Sequence, residues 1–203
     1  MTLGVVILAA GASRRMGQPK LLLPWGKNTI MGALIAQWQS LGAAQIAVVC
    51  AANDEPMQIE LDQLSLPPAN RLINPDPARG MFSSIQCAAR WDGWSTAITD
   101  WGVVLGDQPH LGGKTLRALL EFKSHNPGRI CQPSFRGRLK HPVILPRKRF
   151  LELRQTAKNT LHEFLQSYAK DVASVPLDDP GLALDLDAPA DYELAVKLYA
   201  QKL

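Results

Sequence analysis

The residues able to do chemistry in this chain fall in short segments. The first, Gly11-Ala12-Ser13-Arg14-Arg15-Met16-Gly17-Gln18-Pro19-Lys20, directly follows the apolar run Val5–Ala10. No Gly-Lys-Ser/Thr follows at the distance a Walker A loop requires, and Ser13 stands where GxGxxG needs its second glycine. What remains is a turn of small residues with bare backbone N–H groups, one hydroxyl and three cations. Backbone amides in such a turn form an anion-binding concavity, and Arg15 and Lys20 can close on phosphate oxygens. An ordinary loop with solvated arginines accounts for the same residues equally well.

Carboxylates form the second set. Val103-Val104-Leu105-Gly106-Asp107-Gln108-Pro109 delivers one acid at the end of an apolar run. A single strand-end Asp beside a phosphate loop suits Mg²⁺, which takes few protein ligands and leaves phosphate and water to fill its octahedron. An Asp-x-Pro turn, with the carboxylate capping a backbone N–H, is the plain alternative. In Leu184-Asp185-Leu186-Asp187-Ala188-Pro189, alternation puts Asp185 and Asp187 on one face of an extended stretch. Asp187 can cap a helix beginning near Pro189, and because a carboxylate has two oxygens this does not exclude metal binding.

Two further segments join this group. Asn74-Pro75-Asp76-Pro77-Ala78-Arg79-Gly80-Met81-Phe82-Ser83-Ser84 turns at Gly80 and puts the hydroxyls of Ser83 and Ser84 in the first turn of a helix. There they can read a base edge or a ribose, or simply cap the helix, which is the commoner role. Arg136-Gly137-Arg138-Leu139-Lys140-His141-Pro142-Val143 is the most basic patch. Arg147-Lys148-Arg149 beyond it reads as solvated loop, and His110 and His125 read as surface residues.

These segments need strands and helices to hold them. Strand-length apolar runs occur at Val5–Ala10, Ile46–Cys50, Arg71–Ile73, Gly102–Leu105, Arg129–Cys131, Val143–Leu145 and Val172–Val175. Ile30, Leu34, Ile35, Trp38 and Leu41 repeat at helical spacing before a stop at Gly42. Further helices are predicted over 54–64, 81–91, 113–124, 159–169 and 189–202. Apolar strands alternating with helices predict an α/β fold, a mostly parallel twisted sheet with helices on both faces. Ligands in such sheets bind outside the carboxyl ends of the strands, which is where the phosphate loop and Asp107 lie.

Composition narrows the class. The 203 residues suit a single domain over 1–203, and 46% apolar with 20% charged residues can bury a core. The formal charge of +4 is too small and too dispersed to signal a nucleic-acid arm. No apolar run approaches the roughly 20 residues of a membrane helix. Leu3–Ala10 lacks the positive start of a secretion signal. Cys50, Cys87 and Cys131, widely spaced, read as buried reduced thiols. Together these features predict a cytoplasmic protein with neither nucleic acid nor membrane as partner.

Leu8-Ala9-Ala10-Gly11-x-Ser13-x-Arg15-Met16-Gly17-x-x-Lys20 resembles the signature of the MobA-like nucleotidyltransferases, most closely the molybdenum cofactor cytidylyltransferase (MocA) branch. The likeness extends over nearly the whole chain: Gly-Asp-Gln-Pro at 106–109 is similar to the family's metal motif, Asn74…Gly80-Met81-x-Ser83-Ser84 to its base-side run, and His141-Pro142-Val143 to its acceptor-side run, with Lys140 in place of a glycine. Asp187 matches the second metal acid, although Ala188 and Ala190 depart from the family's Thr and Glu.

The resemblance implies a Rossmann-like, nucleotide-diphospho-sugar-transferase-like fold and a Mg²⁺-dependent nucleotidyltransferase. CTP would be the donor, a molybdopterin-type acceptor carrying molybdenum the recipient, and a molybdenum hydroxylase the enzyme receiving the product. It implies Arg15, Lys20 and Asp107 as catalytic residues. Leu8, Ala9, Ala10, Gly11, Ser13, Gly80, Ser83 and Ser84 join those three around the nucleotide, Lys140, His141 and Pro142 bind the acceptor, and Asp107 and Asp187 bind metal. The rivals are transfer from GTP or to a sugar phosphate, and a non-catalytic nucleotide-binding or cofactor-delivery protein. An RNA-binding domain ranks last, because only Phe135 and Phe150 flank the basic stretch.

Overall fold

The structure, a computed structural model, describes residues 1–199, the side chain of Arg14 apart. The chain opens with β1 (Leu3–Leu8), followed by a small antiparallel pair, β2 (Pro24–Trp25) and β3 (Asn28–Thr29). Then α1 (Ile30–Ser40), β4 (Gln45–Ala51), α2 (Glu55–Gln63), β5 (Arg71–Asn74) and α3 (Met81–Arg90) alternate, and β6 (Asp100–Leu105) and α4 (Gly113–Ser124) follow. The remainder comprises β7 (Ile130–Phe135), β8 (Arg138–Leu139), β9 (Val143–Pro146), α5 (Arg147–Glu152), α6 (Leu161–Ser167), β10 (Val172–Pro176) and α7 (Pro189–Leu198).

The main sheet runs β10-β7-β9-β6-β1-β4-β5, with β8 paired to β7. β1 pairs parallel with both β4 and β6, whereas β9 runs antiparallel to β6 and β7. From β1 the chain winds outward through β4 and β5, then returns to lay β6 on the other side of β1. The connections therefore diverge at β1 and β6, and this reversal opens the crevice in which such folds bind ligands.

Alternation along the strands divides the core. Val5 and Ile7 of β1 face one way with Leu34 and Trp38 of α1, Leu61 of α2 and Leu116 of α4. Val6 faces the other way with Ile85 of α3, Phe150 of α5 and Phe164 of α6. Helices thus cover both faces, as the sequence predicts. Their starts are local in origin: Thr29 caps α1 by accepting from the Gly32 N–H at 2.9 Å, and Asp54 caps α2 at Met57.

Several expectations change. β1 covers Leu3–Leu8 rather than Val5–Ala10: its ladder with β6 ends at Leu8–Leu105, and the chain then turns away. The helix predicted over 189–202 is seen over Pro189–Leu198; residues 200–202 lie outside those described. Arg147-Lys148-Arg149 is not loop but the first turn of α5, anchored by the fully buried Phe150. The Arg147 guanidinium donates to the Thr96 carbonyl at 2.6 Å and to the Ile98 carbonyl, and lies 5.5 Å over the Trp101 ring. Arg149 pairs with Glu152 at 2.8 Å and Asp171 at 2.5 Å, over the Tyr168 ring. Three adjacent cations hide this helix from pattern reading, because Thr96, Ile98, Trp101, Tyr168 and Asp171, which hold Arg147 and Arg149 beside the nearby Glu152, are distant in sequence. Cys50 and Cys131 are buried, but Cys87 is only half-buried.

Between β6 and α4 lies an ion pair with no sequence signature. Lys123 Nζ sits 2.8 Å from Asp100 Oδ1 and donates to the Arg129 carbonyl at 2.9 Å, its side chain only 1% exposed. Removing one partner of a buried pair strands the other charge, at a cost of about 3–5 kcal/mol. We expect Lys123→Met to lower the thermal midpoint by roughly 10 °C. Adding Asp100→Asn should recover much of that loss, and urea unfolding of both variants checks the pair.

Candidate active site

The site begins where two strands end together. Leu8 lies opposite Leu105, and the Gly106 N–H donates to the Leu8 carbonyl at 3.2 Å. A Cβ at Gly106 would fall 2.6 Å from that carbonyl oxygen, so glycine alone permits this approach. Asp107, the next residue, is thereby set beside the loop that leaves β1.

That loop is shaped by its backbone and pinned by apolar anchors. Ser13 and Gly17 adopt positive φ of 46° and 67°, and the Ser13 hydroxyl accepts from the Lys20 N–H at 3.3 Å. Met16 and Leu21 are buried, which leaves Arg15 and Lys20 turned toward the acids. Lys20 Nζ lies 2.9 Å from Asp107 Oδ2 and 3.6 Å from Asp187 Oδ1, and Arg15 Nη2 lies 2.8 Å from Asp187 Oδ2. Two carboxylates therefore converge on one cationic nitrogen. Asp107 Oδ1 is buried and has no hydrogen-bond partner.

An uncommitted buried carboxylate oxygen beside a second acid is a donor set that fits a hard divalent cation. Among the described residues, no three His, Cys, Asp or Glu side chains converge. Mg²⁺ commonly binds through one or two carboxylates, with substrate phosphates completing its shell, so Asp107 and Asp187 are the residues that fit it. The structure brings Asp187 rather than Asp185 to Lys20; Asp185 faces Gln108, 3.5 Å from its Nε2. Nor does Asp187 cap α7: Ala188 is the cap residue, and its N–H bonds to Asp191 at 2.9 Å.

On the other side of β1, the Ala9 N–H is committed to the Val49 carbonyl at 2.8 Å. Those of Ala10 and Gly11 make no hydrogen bond among the described residues. Gly80, at φ 87°, turns the chain into α3. Asn74 donates to the Ser83 and Ser84 hydroxyls at 2.8 and 2.9 Å, while its carbonyl oxygen accepts from the Asp76 N–H at 3.0 Å. The two serines are buried and brace this loop from beneath. Asn74 organises the segment through these bonds; the sequence marks it as the Asn that opens the family's run but does not show this bracing role.

The model of the MobA-like NTP transferase domain matches residues 5–172. The chain belongs to that family. Molybdenum cofactor cytidylyltransferase of Escherichia coli strain K12 is 26% identical over 97% of this chain and 96% of its own length. Nicotine blue oxidoreductase of Paenarthrobacter nicotinovorans is 33% identical over 70% of this chain and 66% of its own. The crystal structure of Rv0371c from Mycobacterium tuberculosis H37Rv superposes with a TM-score of 0.80 at 25% identity, covering 97% of this chain and 98% of that one. This MobA-like chain is an enzyme of the nucleotidyltransferase class.

Farther along the sheet, β7 turns into β8 through Arg136 and Gly137, both at positive φ as a two-residue hairpin turn demands. The Lys140 N–H donates to the Pro133 carbonyl at 2.8 Å, and His141 follows with Nδ1 3.5 Å from the Val103 carbonyl. Pro142 is buried. His110 overturns its surface assignment: it is 3% exposed, and its Nε2 donates to the Gly181 carbonyl at 2.9 Å. It lies in the turn after Asp107, against the segment that carries Asp185 and Asp187. Its signal in the sequence is position alone.

Burial pushes both His110 and His141 below the ordinary imidazole value of 6.5, although Asp107 opposes the shift at each. The unfolded chain therefore takes up protons that the folded protein refuses. The stability due to neutral rings is complete above pH 6.5 and falls as the pH drops through the folded values, by up to about 1.4 kcal/mol per pH unit per ring. We expect His110→Gln/His141→Gln to flatten the stability profile between pH 6.5 and 5 in denaturant titrations. An unchanged slope would show that the rings charge freely in the folded protein.

Proposed function

We propose that this MobA-like nucleotidyltransferase transfers CMP from CTP to the phosphate of a molybdopterin-type acceptor carrying molybdenum, releasing pyrophosphate. One observation carries the reading: Arg15 and Lys20 of the loop after β1 meet Asp107 and Asp187 at a single point on the carboxyl edge of the sheet. The similarity to the Escherichia coli cytidylyltransferase along almost both chains supports the choice of donor and acceptor. Free, widely separated thiols support a cytoplasmic location.

In this reading an oxygen of the acceptor phosphate attacks the α-phosphorus in line, and the bond between that phosphorus and the bridging oxygen to the β-phosphate breaks. The acceptor oxygen is already ionised at neutral pH, so the chain needs no general base. Arg15 and Lys20 turn from the carboxylates to the β- and γ-phosphates and offset the charge that builds on pyrophosphate. Asp107 and Asp187 would hold Mg²⁺, which would supply charge neutralisation at the phosphate oxygens. The free N–H groups of Ala10 and Gly11 face the pairing edge of cytosine, Gly80, Ser83 and Ser84 shape the nucleotide pocket from α3, and Lys140, His141 and Pro142 border the acceptor. Positioning and charge neutralisation supply most of the rate in such transfers.

Pyrophosphate release is the readout, because the redox chemistry named for the nicotine blue relative releases none. Asp107→Asn keeps shape but loses charge, and we expect turnover to fall by about two to three decades with the fold intact by circular dichroism. Near-normal release by that variant would overturn the metal assignment.

Thermal shifts with CTP, GTP, ATP and UTP, each with and without Mg²⁺, should single out CTP, because a ligand that binds only the native state raises the midpoint. The Ala10 methyl limits entry of a purine, so Ala10→Gly should gain partial GTP binding, within about 1–3 kcal/mol. Tighter binding of GTP than CTP by the unaltered protein would sink the donor assignment.

A further inference from the structure

The two acids reach the site by different routes. Asp107 is delivered by β6, whose register against β1 is fixed by the sheet. Asp187 arrives on 184–188, a stretch that pairs with no strand. Nothing in the ladder sets its distance from Asp107. Leu182 and Leu186 are buried and hold the stretch against the core, but hydrophobic attraction is non-directional and sets no bond distance.

Polar ties must therefore fix the remaining freedom. Asp179 accepts from the Thr115 hydroxyl at 2.5 Å and from the Gly181 N–H at 2.9 Å, which fastens the start of the segment to α4. Among the described residues, two direct hydrogen bonds link the turn after β6 to the segment: Gln108 to Asp185 at 3.5 Å, and His110 to the Gly181 carbonyl at 2.9 Å. The first is long and ends on an exposed acid, while the second is short and buried. Space is tight as well, since a Cβ at Gly181 would stand 3.2 Å from His110 Cδ2.

We propose that His110 is a positioning residue that fixes the spacing of the two metal-binding acids by tying the turn of Asp107 to the segment of Asp187. The inference rests on the nucleotidyltransferase reading. In that reading Lys20 leaves the carboxylates for the triphosphate, so the one ammonium that bridges the two acids is withdrawn and their spacing before the metal enters depends on other ties. A neutral bond from an imidazole to a backbone carbonyl is indifferent to that exchange. Until a metal enters, two carboxylates without their ammonium repel each other, and the tie opposes this. Groups bonded directly to metal ligands govern metal affinity by about 10–100-fold, and a tie that holds the ligand-bearing segment acts in the same direction toward the lower end of that range.

The test uses the full chain with His110→Leu, which keeps apolar bulk without a donor, and His110→Gln, whose amide reaches about as far as Nε2. Mn²⁺ binding in the presence of CTP is followed by electron paramagnetic resonance, and thermal midpoints are taken without ligand. Mg²⁺ dependence of pyrophosphate release separates the apparent KM for metal from kcat. We expect His110→Leu to weaken Mn²⁺ binding at least about tenfold, with kcat at saturating Mg²⁺ much less affected, and His110→Gln to stay close to the unaltered protein. If His110→Leu does not fold, His110→Asn, whose amide falls short of Gly181, takes its place. Both variants losing stability while binding Mn²⁺ normally would make the role purely structural and overturn the proposal. Failure of the unaltered protein to bind Mn²⁺ with any nucleotide would instead overturn the nucleotidyltransferase reading, and this inference with it.

Discussion

The ammonium of Lys20 stands between two carboxylates, 2.9 Å from Asp107 and 3.6 Å from Asp187, and much of the fold serves to make that meeting possible. The three residues come from the loop after β1, the turn after β6 and the segment before α7. The Lys20 side chain is only 12% exposed, so its charge acts with less screening than an ion pair at the open surface would have. Arg15 differs: its side chain is 72% exposed, and its bond to Asp187 is of the weak surface kind. One cation is thus held firmly among the acids and the other loosely.

The meeting depends first on the close ends of β1 and β6. Their parallel register puts Leu8 beside Leu105, and Gly106 lets Asp107 begin where β1 releases its loop. Behind this edge the sheet is stiffened on both faces. Trp101 of β6 stacks on Phe150 of α5 with centroids 4.6 Å apart and planes nearly parallel, while Arg147 covers the indole. On the other side, Lys123 of α4 is fixed to Asp100 at the start of β6. β6 is therefore held at its start by a buried charge pair on one face and by aromatic packing on the other, and its register with β1 carries that placement to the carboxyl end that presents the acid.

Basic residues that look alike in the sequence have different fates. Arg15 and Lys20 share the site with the acids, whereas Arg147 and Arg149 are spent on backbone carbonyls, Trp101, Glu152 and Asp171. The difference lies in which partner the fold brings within reach of each guanidinium or ammonium.

The sequence by itself determined what short-range physics can encode. Apolar runs such as Ile46–Cys50 marked strands, the spacing from Ile30 to Leu41 marked α1, and Gly80 marked the turn into α3. Strand alternation with helices implied the parallel sheet, and the run from Leu8 to Lys20 implied the family before any contact was known. Tertiary structure alone decided matters that require residues far apart in the chain to meet. That His110 is buried rather than exposed depends on Gly181, 71 residues away. That Ser83 and Ser84 brace a loop depends on Asn74 folding back beneath them. That Asp187 rather than Asp185 faces Lys20 depends on how the stretch after Leu182 settles against the core, because alternation puts both acids on one face without saying which reaches the ammonium. Periodicity and local propensity report on neighbours in sequence; burial, pairing and charge partners are properties of the assembled fold.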